Sequence, residues 1–565
     1  MLFSPFFSRL SKVLAEGKSP RRPALTAALV VLVWVLLQLI LFRPYYLVND
    51  DILKVLMAKG FGTGGVPSDF FEGSNVLLGM FFKWWFSLFP NEPWFGWFLY
   101  GLQALALWGF LWAELSRPKP WFRAVLFLAA MEGVYFLFFT YLQFNIVSIL
   151  SVQSGFWLLM ASFEAGEKNP KTWMALGSCS FLWIASLLRP EALGVGTLLA
   201  VPLFLADRET VLREIRRPLF RRLLFSAGAL IVLCYLFHSV HSFRSPEWKQ
   251  FWAFHRESDG LNEYRSAQFD PGTKPTFDQV GWSFNDLWLF KNLYWMDLEK
   301  FSVEKLRILN DKFPRWVLGG KFGAYSSWGS LLSSHWDLRI LLWAFGIAFF
   351  CAPNRLWAML TSLGMVIFIL ALLLYWLKAT DRVTLPILTS LIVFAVRFAE
   401  FPMIRSGWSP WKVTAGFLAL LVLASMTFQE VRSYRVQNLT RQGAEVRFDQ
   451  SLRDLGSFKG QLIILWDFPL ECANAFDDLE RFRPLHIFLM SASQRSPVQA
   501  GLIKDYGLED FGKGMVDNPR VLLNCSGEEG AHLAVYLQEN KGIKVRPQKV
   551  YECEFFKVFA LHSRP

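Results

Sequence analysis

Apolar runs long enough to cross a bilayer recur along this chain, and that recurrence limits its fold more than any single residue does. A hydrocarbon core of about 30 Å needs about 20 helical residues to span it, and backbone groups inside it must bond within their own segment. Such runs lie near Ala24–Phe42, Trp94–Leu115, Phe122–Tyr141, Asn145–Phe163, Thr172–Leu188, Ala192–Ala206, Leu223–Val240, Leu338–Ala352, Leu356–Leu377, Val383–Glu400 and Val413–Phe428. They predict a polytopic α-helical membrane protein with about eleven spans. Composition agrees, because 53% of residues are hydrophobic and only 18% charged. Ala192–Ala206 is short, but the stretch from Thr172 to Ala206 is too long for one span at about 1.5 Å per residue.

Orientation follows from the placement of basic residues. Lys12, Lys18, Arg21 and Arg22 precede the first run, which predicts a cytoplasmic N-terminus and a first helix that leads outward. That run is longer than a signal-peptide core and lacks a small-residue cleavage site, so it reads as a retained anchor. The segment Asn75–Phe89 is awkward, since about 15 residues give roughly 22 Å of helix and Lys83 sits at its middle. Taken as a helix lying along the outer interface, it leaves the linkers Arg117–Arg123, Glu164–Lys171, Arg208–Arg222, Asn354-Arg355 and Arg397–Lys412 inside. The net charge of +12 is then explained by loop asymmetry, and no nucleic-acid motif accompanies it.

Three outer pieces result. The first loop, 43–93, holds Asn49-Asp50-Asp51, a Gly-rich run from Gly60 to Gly65, and the interfacial helix. The second, 241–337, mixes tryptophans with charges. Residues 431–565 read as a soluble extracytoplasmic α/β domain, with strands at Gln461–Trp466, Arg520–Asn524 and Glu552–Leu561 and a helix at Ser526–Asn540. This domain shows no Gly-rich phosphate loop or Ser/His/Asp arrangement, so the membrane part, 1–430, is expected to hold the chemistry. Cys472, Cys525 and Cys553 have no metal-like spacing and declare no disulfide framework.

Several polar clusters compete for function. Asp50 and Asp51 are ordinary turn residues by type, yet paired carboxylates at a membrane surface are costly to keep idle. Arg189-Pro190-Glu191 is either a helix-capping turn or a charged junction facing a wet cavity. Lys378, Asp381 and Arg382 join two long spans on the same face. His255-Arg256-Glu257 carries one histidine and no i, i+4 ligand pair, which favours a solvated loop over a metal site. Ser334-His335-Trp336-Asp337 has no evident nucleophilic partner. The sequons at Asn438 and Asn524 are too common to carry weight.

In layout the chain resembles the GT-C class of polytopic glycosyltransferases, most nearly bacterial members whose first outer loop reads Asn-Asp-Asp before a Gly-rich turn and a segment like Asn75-Val-Leu-Leu-Gly79…Pro90…Trp94. The resemblance covers roughly residues 24 to 400. It implies a GT-C-like fold, a polyprenyl-phosphate-linked sugar donor, a glycan, lipid or protein acceptor, and residence among membrane lipids, in the bacterial inner (plasma) membrane. It also implies that Asp50 or Asp51 is the catalytic base or helps bind a metal. A base at that place takes the acceptor proton while Arg189, Lys378 and Arg382 steady the departing phosphate. Glu191, His255, Arg256 and Asp381 are then candidates on the acceptor side. Paired carboxylates suit a divalent metal, but the sequence does not require one. The rival readings are a transporter or flippase, which would favour internal repeats and mid-membrane charges, a polymerase or ligase of lipid-linked glycans, and a non-enzymatic assembly scaffold.

Overall fold

A computed structural model describes residues 22–564, apart from 119, 165–170, 265–266, 315–339, 348–355, 377–379, 400–409, 467–468 and 470–471. Every stretch expected as a span is helical over its described residues apart from Phe42, Tyr141 and Ala399 at their ends, and the chain is a polytopic helical protein with a C-terminal sheet domain. The helices that matter below are α1 (Pro23–Leu41), α2 (Asn49–Lys59), α3 (Val76–Leu88), α4 (Trp94–Leu115), α5 (Pro120–Thr140), α6 (Phe144–Glu164), α7 (Lys171–Leu188), α8 (Pro190–Ala206), α9 (Arg208–Ile215), α10 (Pro218–Ser242), α11 (Pro246–Glu263), α12 (Lys274–Val280), α13 (Phe284–Lys291), α14 (Val303–Lys312), α15 (Leu356–Trp376), α16 (Asp381–Phe398) and α17 (Pro410–Leu455). Among the described residues, six helices are long and apolar enough to cross a membrane, and α8 with α9 forms a pair bent by 105°.

α6 is the axis of the bundle, with its apolar window wholly buried, whereas α1 and α10 stand at the rim. Leu29, Val33 and Ile40 of α1 and Phe225, Val232 and Val240 of α10 are exposed. Apolar faces of that length would aggregate in water, and in a bilayer they meet acyl chains at no cost, so the chain is an integral membrane protein. α3 buries Val76, Leu78, Phe82 and Phe86 on one face and exposes Phe81, Lys83 and Trp84 on the other, the two-sidedness of a helix at an interface.

The C-terminal sheet has five strands in the order β4-β3-β5-β7-β6. They are β3 (Leu462–Leu465), β4 (His486–Leu489), β5 (Val521–Asn524), β6 (Val545–Glu552) and β7 (Lys557–Ser563), with α18 (Gly527–Lys541) between β5 and β6. β3, β4 and β5 are parallel, while β7 runs antiparallel to β5 and β6. The expected strand over Glu552–Leu561 is instead the turn of the β6–β7 hairpin plus most of β7. Its apolar look comes from Phe555 and Phe556, and the Cys553 N–H closes the turn on the Phe556 carbonyl at 2.9 Å.

Two joints tie this sheet to the rest. The described part of the stretch 241–337 holds α11–α14 and shares one apolar core with the sheet, where Phe254, Trp282, Tyr294, Trp295 and Phe301 pack with Ile464, Phe488, Leu523 and Tyr536. The first loop is held by α17 and by the chain after β3. Asn438 is buried in α17, donates to the Arg43 carbonyl at 2.7 Å and accepts the Arg43 N–H at 3.1 Å. The Ala475 N–H donates to the Pro44 carbonyl at 2.9 Å, and Tyr45-Tyr46 (β1) pairs with Tyr141-Leu142 (β2). Both sequon asparagines, Asn438 and Asn524, are therefore buried.

Candidate active site

The first loop places its two aspartates differently. α2 opens at Asn49, so both acids sit in a first helical turn, where the exposed N–H groups favour negative charge. Asp50 faces a cavity of about 1200 Å³ and pairs with Arg382 at 2.9 Å. Asp51 points beneath, is fully buried, and accepts the Phe144 N–H at 3.2 Å, which caps the start of α6. Burial pushes the Asp51 carboxyl up to about 7, with Lys54 pulling against it and Asp50 adding to it. The sequence had left the two acids equivalent, and one helical turn separates their surroundings.

Lys54 lies a turn after Asp50, almost fully buried, with Nζ 3.6 Å above the centre of the Phe144 ring and 3.4 Å from the Asp50 carbonyl oxygen. Burial lowers its proton affinity, while Asp51, Asp50 and Glu72 raise it. Arg189 approaches the same ring, its guanidinium carbon 5.7 Å from the centre. It is the residue before α8 and pairs with Glu191 at 3.1 Å. Gly73 takes φ +70°, the left-handed region that favours glycine, and a Cβ there would fall 2.4 Å from Arg189 Nη1, so a larger residue would push the tip of this arginine aside. Phe144 thus gathers a capping carboxylate and two cations at the N-terminus of α6.

His255 and Glu72 form the facing wall. His255 Nε2 is 3.4 Å from Asp259, an i, i+4 pair that the sequence reading did not credit, and 3.8 Å from Glu72. Burial pushes the Glu72 carboxyl up, against the pull of His255. At the C-terminal end of α10, His241 meets Asp69 at 3.1 Å with Arg244 at 3.8 Å, and the Val76 N–H donates to His238 Nδ1 at 3.1 Å, which fastens the first loop to α10. Away from these charges the wall is apolar, built by Ile149, Val195 and Leu373 from α6, α8 and α15.

Asp50, Arg189, Glu191, His255 and Arg382 all line this one cavity. Arg256 does not; its side chain is exposed and lies 3.8 Å from Glu257. Lys378 and the Asp381 side chain lie outside the described residues, as do Ser334 to Asp337. Sequence reading missed Lys54 and Glu72, although an acid at 50 and a base at 54 carry the i, i+4 signal once α2 is recognised as a helix. It also missed Trp466, Ser491 and Ser493, which reach the cavity from the sheet domain.

A divalent metal at Asp50 and Asp51 does not suit this arrangement. The two carboxylates diverge, one to Arg382 and one to the Phe144 N–H, and no group of three or more His, Cys, Asp or Glu among the described residues is placed to hold an ion.

No family model matches the chain, and no curated protein matches it significantly. Among solved structures, the apo crystal structure of ArnT from Cupriavidus metallidurans aligns with a TM-score of 0.40 and 12% identity over 95% of this chain and 97% of that one. A likeness so distant carries no argument, and the functional reading depends on the residues above.

Proposed function

We propose that this chain is a GT-C-type glycosyltransferase of a bacterial inner membrane. In this reading it moves a sugar from a polyprenyl-phosphate donor to a glycan, lipid or protein acceptor at the outer face. One observation carries it: a single cavity joins an apolar helical wall, the carboxylate of Asp50 among five acids, and four cations (Lys54, Arg189, Arg244 and Arg382) beneath a sheet-domain rim whose lining residues carry no charge. An amphiphile with an apolar tail, an anionic linkage and a polar head matches that order of surfaces. The membrane part, 1–430, would hold the chemistry, with 431–565 as an extracytoplasmic domain, and Lys378 and Asp381 would extend the cationic and acceptor sides next to Arg382.

The chemistry needs one base and a place for a phosphate. The acceptor oxygen attacks the anomeric carbon, its proton passes to Asp50, and the bond from that carbon to the phosphate oxygen breaks with its electron pair leaving on the phosphate. One displacement of this kind inverts the sugar. Arg189 and Arg382 offer forked donors to the departing phosphate and Lys54 a point charge. Arg382 holds Asp50 when no donor is bound, and the donor's singly charged phosphodiester offers two unesterified oxygens that compete for the same guanidinium. Donor binding therefore frees the base, and hydrolysis by stray water is disfavoured until the donor is in place.

Asp51 is given a different part, holding α2 on the start of α6. The test is transfer by the purified chain in lipid nanodiscs from a panel of polyprenyl-phosphate sugars. Asp50→Asn should cut turnover by about 10²–10⁴-fold with unchanged thermal unfolding, whereas Asp51→Asn should retain transfer. Full turnover in Asp50→Asn would remove the proposal.

A further inference from the structure

The sheet domain brings a crevice of its own to the cavity. Because β3 lies between β4 and β5, the chain leaves β3 to one side and later returns on the other. Open α/β sheets hold ligands outside the carboxyl ends of their strands. The reversal itself falls between β3 and β5, and the carboxyl ends that line the cavity are those of β3 and β4, Leu465-Trp466 and the run from Leu489 to Ser493. Arg495 fixes the second of these segments. It donates to the Asp297 carbonyl at 2.8 Å and the Phe301 carbonyl at 3.0 Å, and lies 3.8 Å over the Phe254 ring.

The chemistry of this crevice differs from that of the rest of the cavity. Its sheet side carries no charged side chain; the Ser491 and Ser493 hydroxyls lie 2.7 Å apart, and Trp466 lines the same side. Across the space, the buried Nε1 of Trp252 and Nδ1 of His255 have no hydrogen-bond partner in the structure. A buried donor of that kind is costly until a ligand satisfies it. An anion would find no cation on the sheet side, whereas a neutral ring bearing hydroxyls finds indole faces to stack on and donors and acceptors at its edge.

We propose that this strand-end crevice is a subsite for a neutral glycosyl ring. Trp466, Ser491 and Ser493 on the sheet side and Trp252 on the loop side are its specificity-determining residues. The inference rests on the sugar-transfer reading, so its test scores binding alone, in the Asp50→Asn protein, where transfer is not the readout. The full chain in nanodiscs, free of sugar-based detergent, is titrated with methyl α-glucopyranoside, methyl α-galactopyranoside and methyl α-mannopyranoside by saturation-transfer NMR. At least one glycoside should give a saturable signal. Ala492→Leu, which fills the crevice, and the double variant Ser491→Ala with Ser493→Ala should each weaken it by about fivefold or more, while Arg256→Ala should not. The double variant removes only two oxygen atoms and keeps the test sound if the leucine disturbs folding. Absence of any signal, a signal indifferent to both crevice variants, or one abolished by Arg189→Ala alone would each overturn the subsite.

Discussion

The two ends of α6 handle charge in opposite ways. At the Phe144 end, Asp50, Lys54, Arg189 and Arg382 are paired singly or held over a ring, and an open cavity lies among them. About 30 Å away, at the Glu164 end, three acids meet three arginines from five helix ends. There Arg117 contacts Glu114 at 3.1 Å and Glu164 at 2.8 Å, Arg397 reaches Asp207 at 3.0 Å and also Glu164, and Arg123 lies 3.8 Å from Glu114. Arg123 and Arg117 also donate to the Arg397 carbonyl at the end of α16, at 2.7 Å and 3.4 Å, where that helix leaves carbonyls unpaired. Charges that satisfy one another in a closed set leave no vacancy for a ligand. Charges held apart by an aromatic ring and by single partners leave one, and the difference separates a structural knot from a candidate site.

The contrast can be broken from either side, starting with the knot. Arg397→Met leaves Glu164 and Asp207 without their shared partner, and should cost about 3–5 kcal/mol in chemical unfolding while the KM for donor stays near that of the parent. A variant that loses transfer at full stability would show that the knot does more than brace. The next effect concerns Asp51, whose carboxyl is raised to about 7 in the folded protein from an ordinary value of 3.8. Below pH 4 both states are protonated and no penalty exists. As pH climbs toward 7 the unfolded chain ionises first, so folding loses stability over that window and stays lower above it. Asp51→Asn should gain on the parent by about 4 kcal/mol between pH 4 and pH 8, and a pH-independent difference would deny the buried carboxyl its raised affinity. Arg189→Ala should raise donor KM about tenfold and acceptor KM much less, since one charge-assisted contact is removed; the reverse pattern would take Arg189 out of the phosphate site. Smallest of all, Arg256→Ala should change stability by less than about 0.5 kcal/mol and leave transfer intact, as expected for an exposed side chain outside the cavity.

The helices were legible because apolar length is a local property, read over about 20 residues. The amphipathic α3 was legible for the same reason. Asp50, Arg189 and Arg382 were legible as a group because each sits where a charge beside an apolar run is expensive. Their separation from Asp51 was not, because it depends on which face of α2 meets the start of α6, a contact between residues 93 positions apart. Trp466, Ser491 and Ser493 were illegible because strand ends carry no motif, and only the sheet order turns them toward the membrane part. Arg256 was misjudged as an acceptor-side neighbour because adjacent helical residues face different ways.

The grip of Asn438 on Arg43 has a further consequence for how this protein is made. The Arg43 backbone, just ahead of the strand that leads into Asp50, meets this partner only in a helix 395 positions later, so a ribosome must add that whole stretch before the clasp at the entrance to the pocket can close. Until then the first loop waits without that clasp. Chains released early would carry the aspartate pair but not the shape that gives it meaning.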